Sequence, residues 1–194
     1  MFILITILWL TMKAYFISAL LLSGCSVTPT EISAPNGNSD KAVIFDIDGT
    51  LTPCNACIFS ERENASELVQ TYADNGFKII YLTARNVYFQ FNIPFFLSRY
   101  HFPDRDIQVA NSMAERKNFK TFKLNILKRY TESGWTLFAA YGDSSTDFAA
   151  YLAAGVPQNK IFAITRQGNC KCKPGPWRKC YDSRSKHTPI AFPP

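Results

Sequence analysis

Four short, continuous apolar runs, separated by longer stretches, limit the folds that this 194-residue chain can adopt. The runs lie at residues 41–46, 77–82, 136–141 and 160–164. Runs of this length suit strands that helices cover on both faces of a parallel sheet. The stretches that are helix candidates lie at residues 60–75, 86–100, 117–132 and 145–154. The alternation predicts an α/β fold with a doubly wound (Rossmann-like) parallel sheet, in which ligands bind at the carboxyl ends of the strands.

The first 24 residues have the composition of an export signal. They are almost entirely apolar and contain a single charge, Lys13, which is followed by an apolar run and small residues before Cys25. This order is typical of a secretory signal peptide. The sequence LSGC at residues 22–25 also resembles the bacterial lipobox, in which the cysteine is acylated, commonly with palmitate, and becomes the new N-terminus. An uncleaved membrane anchor at residues 1–22 and a cleaved signal without a lipid are the alternatives. Translation starts at either Met1 or Met12, since residues 1–11 contain no positive charge.

The rest of the chain divides into three parts by composition. Residues 26–40 are polar with Pro and Gly and predict a flexible tether, residues 41–166 form the α/β domain, and residues 167–194 are a Cys-rich tail. The formal charge of the whole chain is +6, and it falls to +5 when Lys13 leaves with the signal. This modest excess favours anionic membranes or substrates only weakly, and no nucleic-acid partner is expected.

Polar signatures follow the predicted strands at the edge where a ligand would bind. They are DIDGT at 46–50, TAR at 83–85, a lysine at 120 (or at 123) near the start of the third helix candidate, and GDSSTD at 142–147. A carboxylate that ends a buried strand is costly unless it is paired or binds a metal. Several converging carboxylates repel one another, and a divalent cation relieves that repulsion. Carboxylate and water ligands suit Mg²⁺, so Mg²⁺ is the expected cofactor.

These four signatures, in this order, resemble the motifs of the haloacid dehalogenase-like (HAD) phosphohydrolase superfamily. The resemblance implies that Asp46 is a nucleophile that forms an aspartyl-phosphate, and that Asp48 is the general acid and then the general base. It further implies that Thr83 and Lys120 bind the phosphoryl oxygens, with Lys123 as the alternative to Lys120. A cation and a lysine beside a carboxylate nucleophile reduce its repulsion from an anionic substrate.

The same resemblance implies a metal site and a set of substrate contacts. Asp46, Asp143 and the backbone carbonyl of Asp48 would hold Mg²⁺, and Asp147 would support them. The predicted substrate-binding residues are Gly49, which lets the backbone turn beside the phosphate, Thr50 and Arg85. Arg85 is either a second phosphate contact or a surface cation.

Within the superfamily, the sequence is most similar to the lipin-type phosphatidate phosphatase domain, which also occurs in phosphatidylinositol-transfer proteins. The similarity rests on DIDGTLT, YLTAR and TDFAAYLAAGVPQNKIFAI, the last at residues 146–164. The chain departs from that family at residues 142–144, where GDS replaces the usual Gly-Asn-Arg. The short spacing between the motifs leaves no room for a full cap domain and therefore predicts an open site.

The resemblance implies an Mg²⁺-dependent phosphomonoesterase that acts on phosphatidate or a related lipid phosphate. It would be exported and held at the cell-envelope membrane by an acyl chain on Cys25. The alternatives are a broad-specificity acid phosphatase or nucleotidase, and a non-catalytic module that binds lipid phosphates. The aromatic segment at residues 87–102 would either dip into a membrane interface or form a core helix broken at Pro94.

Five cysteines follow Cys25, and in an exported protein they predict two disulfides and one spare thiol. They are Cys54 and Cys57 after the first motif, and Cys170, Cys172 and Cys180 in the tail. The pairing cannot be read from the sequence, although a staple between the two loops is the expected arrangement. A zinc site is the alternative.

Overall fold

The computed structural model describes residues 27–37, 39–103 and 106–181. The predicted signal peptide, Cys25 and the end of the tail lie outside the described residues. Within the part of the chain that the structure describes, no helix is both long and apolar enough to cross a membrane.

Six parallel strands form one sheet in the order β3-β2-β1-β4-β5-β6. They are β1 (Lys41–Phe45), β2 (Lys78–Thr83), β3 (Asp106–Val109), β4 (Thr136–Gly142), β5 (Ile161–Ile164) and β6 (Lys179–Tyr181). The strand order confirms the predicted doubly wound sheet, and the four predicted strands occur within a residue of their expected bounds. The edge strands β3 and β6 were not predicted, because four and three residues are too few for an apolar run.

In the described residues, five α-helices connect the strands. They are α1 (Ala65–Asp74), α2 (Ile93–Arg99), α3 (Met113–Lys117), α4 (Phe119–Glu132) and α5 (Ser145–Ala153), with 3₁₀ turns at Val87–Asn92 and Gln158–Lys160. The predicted helix at 86–100 is therefore divided in two. Pro94 lies in the first turn of α2, where its missing N–H needs no partner, so it begins a helix there rather than breaking one. No separate cap domain occurs among the described residues.

Alternating residues of the central strands point to opposite faces of the sheet and build two cores. Val43 and Phe45 of β1 pack on the face that α1 and α2 cover, whereas Ala42 and Ile44 pack on the face that α4 and α5 cover. All four side chains are fully buried. β1 buries apolar side chains on both faces, and such burial stabilises a fold by about 25 cal/mol per Å² of apolar surface. The burial therefore fixes the register of β1 and the point at which the loop after its carboxyl end begins.

The described residues of the predicted flexible tether lie against the domain, which corrects that prediction. The Thr30 N–H donates to the Ile107 carbonyl of edge strand β3 over 2.9 Å, and the Ile107 N–H donates to Thr30 Oγ1 over 2.9 Å. Farther along, the Trp135 indole N–H donates to the Ser33 carbonyl over 2.7 Å. The polar segment packs because an edge strand presents unpaired backbone groups that a neighbouring segment can satisfy.

The predicted number of disulfides agrees with the structure, but the expected staple between the loops is wrong. Cys54 pairs with Cys57, Cys172 pairs with Cys180, and Cys170 is an exposed free thiol. Each disulfide closes its own short loop, and the two regions meet instead through a hydrogen bond from the Gln167 N–H to the Pro53 carbonyl, 2.8 Å long. The paired sulfurs are not available as thiolate ligands for zinc.

Candidate active site

The predicted acids meet between β1 and β4, the two central strands from which the chain winds in opposite directions. Asp46 directly follows β1, and its N–H donates to the Tyr141 carbonyl of β4 over 3.0 Å. Asp143 directly follows β4, and Asp147 lies in the first turn of α5. This helix begins so close to the strand that a Cβ added to Gly142 would lie 2.9 Å from the Asp147 Cβ. The fold therefore gathers three acids at its topological switch point.

A buried lysine holds two of these acids together. Lys123 Nζ lies 2.5 Å from Asp46 Oδ1 and 2.8 Å from Asp147 Oδ1, and its side chain is 3% exposed. Lys120, the residue favoured by sequence, is exposed near the start of the same helix α4 and does not line the site. Lys123 takes the inner position because it follows Phe122 on the face of α4 that packs on the sheet. The placement of Lys120 is thus corrected in favour of Lys123.

The acids are held close enough to alter their protonation. Burial raises the pKa of Asp46 well above its usual range, although Lys123 opposes this shift. Burial also raises the pKa of Asp143, which a hydrogen bond from Arg166 partly offsets. Burial alone would lower the pKa of Lys123, but Asp147 and Asp46 raise it well above the ordinary value. Lys123 and Arg166 are two cations for three acids, so the site carries excess negative charge when all three acids are ionised.

Asp48 is turned away from these acids and is held by the TAR segment after β2. Thr83 Oγ1 donates to Asp48 Oδ2 over 2.7 Å, and the Arg85 guanidinium donates to both carboxylate oxygens, the shortest contact being 2.7 Å. Arg85 also donates to Asn92 Oδ1 over 2.6 Å and is buried, so the surface-cation alternative is wrong. Thr83 and Arg85 therefore fix the direction of the Asp48 carboxylate.

Gly49 and Thr50 shape the loop that carries Asp46 and Asp48. Gly49 has a φ of +82°, and a Cβ there would overlap the Asp143 carboxylate, so both conformation and space require glycine. Thr50 Oγ1 donates to Asp46 Oδ2 over 3.2 Å. Neither residue lines the cavity, so the structure places these two predicted substrate contacts behind the carboxylates.

Two arginines at the site belong to none of the sequence motifs and were not predicted. The buried Arg62 guanidinium donates to the carbonyls of Gly49, Thr50 and Thr165 over 2.8–2.9 Å and thereby ties the first loop to the end of β5. Arg166 forms an ion pair with Asp143 and keeps a side chain that is 30% exposed. The sequence signal that could have identified Arg166 is its position two residues after β5, because residues that follow the strands form this site.

An open cavity of about 540 Å³ gives access to these groups. Its polar wall includes Asp46, Asp48, Thr83, Arg85, Lys123, Asp143, Asp147 and Arg166, and its apolar wall includes Ile58, Phe89 and Phe119. The predicted catalytic and metal-binding residues other than Lys120 are thus brought to one surface.

Three of the acids form a set that fits a divalent cation. Asp46, Asp143 and Asp147 each offer a carboxylate oxygen, and these oxygens lie within 4.8 Å of one another. All three residues are buried. Hard carboxylate oxygens in an anionic pocket are the donors that Mg²⁺ prefers, so the residues fit the predicted metal. The Asp48 side chain is engaged by Thr83 and Arg85, which leaves its backbone carbonyl for the predicted contact.

Comparisons with known proteins identify what this domain resembles. The family model described as "PITM 1-3, LNS2 domain" matches residues 43–165. Protein retinal degeneration B of Drosophila melanogaster is 29% identical over 132 residues, which cover 66% of this chain and 10% of that protein. Phosphatidate phosphatase LPIN3 of Homo sapiens is 26% identical over 158 residues, which cover 66% of this chain and 18% of that protein. The chain spans less than a fifth of the length of these curated relatives.

A solved structure shares the fold. A chain of the Pnkp1/Rnl/Hen1 RNA repair complex superposes with a TM-score of 0.53 at 18% identity, covering 74% of this chain and 49% of that one. The sequence matches confirm the predicted relationship to lipin-type domains and to phosphatidylinositol-transfer proteins.

Proposed function

We propose that this chain, which belongs to the LNS2 domain family of PITM 1-3, is an Mg²⁺-dependent phosphomonoesterase acting on a lipid phosphate. The observation that carries the proposal is the meeting of Asp46, Lys123 and Asp147 beside a separately oriented Asp48. A module that only bound phosphate would need cations, but it would have no need for a buried carboxylate at the centre of the cavity.

Asp46 is the nucleophile of the proposed reaction. One of its carboxylate oxygens attacks phosphorus and forms an aspartyl-phosphate, while the bond from phosphorus to the leaving oxygen breaks. Thr50 and Lys123 each contact one oxygen of Asp46, so the carboxylate is oriented before substrate arrives. Lys123 and Arg166 supply positive charge where the phosphoryl oxygens enter.

Asp48 moves the protons. It donates a proton to the leaving oxygen in the first step and accepts one from water in the second, when water attacks phosphorus and the bond to Asp46 breaks. Arg85 and Thr83 hold its carboxylate toward the cavity, so the proton donor is already placed. Asp46 is thereby regenerated, and inorganic phosphate leaves.

Asp46, Asp143, Asp147 and the backbone carbonyl of Asp48 would hold Mg²⁺. When bound, the ion neutralises the negative charge that accumulates between the acids and the phosphoryl group. The three ionised acids carry more negative charge than Lys123 and Arg166 balance, which supports a cation at this position.

The lipid part of the proposal rests on the open cavity, its aromatic wall and the relatives. Phe89 and Phe119 line one side of the mouth, and no cap domain covers it among the described residues. Phosphatidate phosphatase LPIN3 is a relative of this chain. Export and acylation at Cys25 belong to the same proposal, because they would hold the domain at a cell-envelope membrane where such lipids occur.

Phosphate release by the full chain tests the function. The full chain with Mg²⁺ is given phosphatidate in vesicles, a soluble short-chain phosphate ester and a nucleotide, and the Asp46→Asn variant is the control. The expected result is turnover of phosphatidate that depends on Mg²⁺ and is absent in Asp46→Asn. A preference for the nucleotide would overturn the lipid assignment, and phosphatidate binding without turnover of any ester would overturn the assignment as an enzyme.

A further inference from the structure

Exposed apolar side chains concentrate around the mouth of the cavity. Four aromatic residues on one segment, Tyr88, Phe89, Phe91 and Phe95, are between 51% and 68% exposed; they are called the aromatic rim below. Phe89 lines the cavity itself. Of the exposed large apolar residues in the described ranges, Leu152 lies apart, near the far end of α5. Exposed apolar residues gathered at one place on a surface indicate a binding surface.

The segment that carries the aromatic rim has reversed polarity, with polar side chains inside and aromatic side chains outside. Gln90 is fully buried and donates from Nε2 to the carbonyls of Arg85 and Ala110, each over 3.0 Å. Asn92 is also buried, and it donates to the Ile58 carbonyl over 2.8 Å. These contacts lock the backbone so that the aromatic rings cannot turn into the core. A surface fixed in this way is unfavourable in water and favourable against an apolar partner.

The described chain begins beside the aromatic rim. The Val27 N–H donates to Gln90 Oε1 over 3.3 Å, and Asn111 Nδ2 donates to the Val27 carbonyl over 3.3 Å. Cys25, the predicted acylation site, is two residues earlier in the sequence, which an extended chain spans in about 7 Å. An apolar anchor at or before Cys25 would therefore be joined to the domain next to the segment that carries the aromatic rim.

Basic residues accompany the aromatic rim. The exposed Arg99 guanidinium lies 5.9 Å from the Phe95 ring centre. Lys117 and Lys120 are exposed on either side of the exposed Phe119, which lines the cavity as Phe89 does. Glu115 of the short helix α3, which precedes these lysines, accepts from the N–H groups of Asn111 and Ser112. Aromatic side chains flanked by exposed cations match the interface of an anionic bilayer.

We infer that the aromatic rim docks onto the surface of an anionic lipid bilayer, with the mouth of the cavity facing the headgroups. The inference rests on the proposed function in one respect, since it explains how a lipid phosphate reaches Asp46 without leaving the bilayer. The occupant of this surface is the bilayer itself. The contacts of Val27 with Gln90 and of Thr30 with edge strand β3 set the orientation, because they hold the first described residues against the domain.

Tryptophan placement tests the docking without reference to activity. Full chains that carry Phe91→Trp or Leu152→Trp are combined with anionic vesicles that contain brominated phospholipid, which quenches tryptophan at bilayer depth. The emission of the parent chain, which has three tryptophans, is subtracted. The expected result is about twofold quenching of the residue at 91 and no change at 152. Equal quenching at both positions, or none at 91, would overturn the inference.

A second experiment compares substrates. The triple variant Y88S/F91S/F95S leaves Phe89 and the other lining residues in place. It should lose about tenfold in turnover of vesicle phosphatidate and keep its turnover of a soluble short-chain phosphate ester. Leu152→Ser is the matched control and should keep both. Equal loss on the two substrates, or a parent dimer that the triple variant converts to a monomer, would contradict docking on a bilayer.

The two proposals fail in different ways. If the parent chain turns over no phosphate ester while Phe91→Trp is still quenched, the proposed reaction is wrong and the docking surface stands. If the parent chain is active and Phe91→Trp is not quenched, the docking surface is wrong and the reaction stands.

Discussion

At the scale of single residues, the site depends on one buried cation placed among three buried acids. Lys123 contacts Asp46 and Asp147, while Asp143 pairs with the partly exposed Arg166. A buried charge that loses its partner is strongly destabilising, so such a group persists mainly where function requires it. The identity of the lysine and the protonation of the acids are therefore the residue-scale properties that can be measured.

Replacing Lys123 should separate it from Lys120. Lys123→Gln removes the cation that faces the substrate phosphate, and turnover should fall by about 10²–10³-fold, as for the loss of an electrostatic contact to a transition state. Lys120→Gln, at an exposed position of the same helix, should stay within about twofold of the parent. Steady-state phosphate release in Mg²⁺, with thermal unfolding as a check on folding, measures both. A comparable loss in Lys120→Gln would reinstate the lysine that the sequence favoured.

The raised pKa of Asp46 predicts how the stability of the metal-free protein depends on pH. The unfolded carboxyl titrates near its ordinary value of 3.8, and burial raises the folded pKa well above it. The folded state therefore retains a proton that the unfolded state has lost. This contribution to stability is fully present below the unfolded pKa and is lost as pH rises through the folded pKa.

Asp46→Asn removes that titration, so its free energy of unfolding relative to that of the metal-free parent should rise as the pH rises above the unfolded pKa. Urea unfolding in EDTA across this range measures the difference, with exposed Asp74→Asn as the control. A difference that stays constant with pH would contradict the raised pKa.

At the scale of elements, short segments with little periodicity complete the domain. The edge strand β6 contains three residues and pairs with β5, and its Cys180 is joined to Cys172. The 3₁₀ segment before α2 buries Gln90 and Asn92 and exposes its aromatic residues. Both segments owe their conformation to contacts made elsewhere in the chain.

The Cys172–Cys180 disulfide should stabilise the sheet edge through the loop that it closes. Closing a loop of this length restricts the unfolded chain by about 2–3 kcal/mol. The double variant Cys172→Ser/Cys180→Ser should therefore lose about that much free energy of unfolding in urea. Cys170→Ser, at the exposed free thiol, should stay within about 0.5 kcal/mol of the parent. A loss of equal size in the Cys170→Ser control would show that the disulfide is not the cause.

At the scale of the whole molecule, the sheet order decides which distant residues meet at the site. Asp46 and Asp143 meet because β1 and β4 are neighbours at the switch point, although 97 positions separate the two residues in the sequence. Val27 contacts Gln90, and Thr30 pairs with Ile107 of β3. The anionic centre that results is a property of the folded chain as a whole.

Mg²⁺ should therefore stabilise the folded protein. A cation that binds only the folded state at about 100 times its Kd adds about 2.7 kcal/mol, which raises Tm by about 5–10 °C in a domain of this size. Scanning calorimetry with and without Mg²⁺ measures this shift. Asp143→Asn should abolish it, and Leu152→Ser should retain it. An undiminished shift in Asp143→Asn would place the cation elsewhere.

Sequence alone determined the doubly wound sheet, its four central strands and the acids at their ends, because buried strands require apolar runs and catalytic groups must follow them. It also indicated two disulfides, although not their partners. Tertiary structure decided what depends on distant contacts. It selected Lys123 over Lys120 through the packing of one face of α4, turned Arg85 onto Asp48, and added Arg62 and Arg166. It also paired Thr30 with β3, because an edge strand's unpaired backbone groups exist only once the sheet has formed.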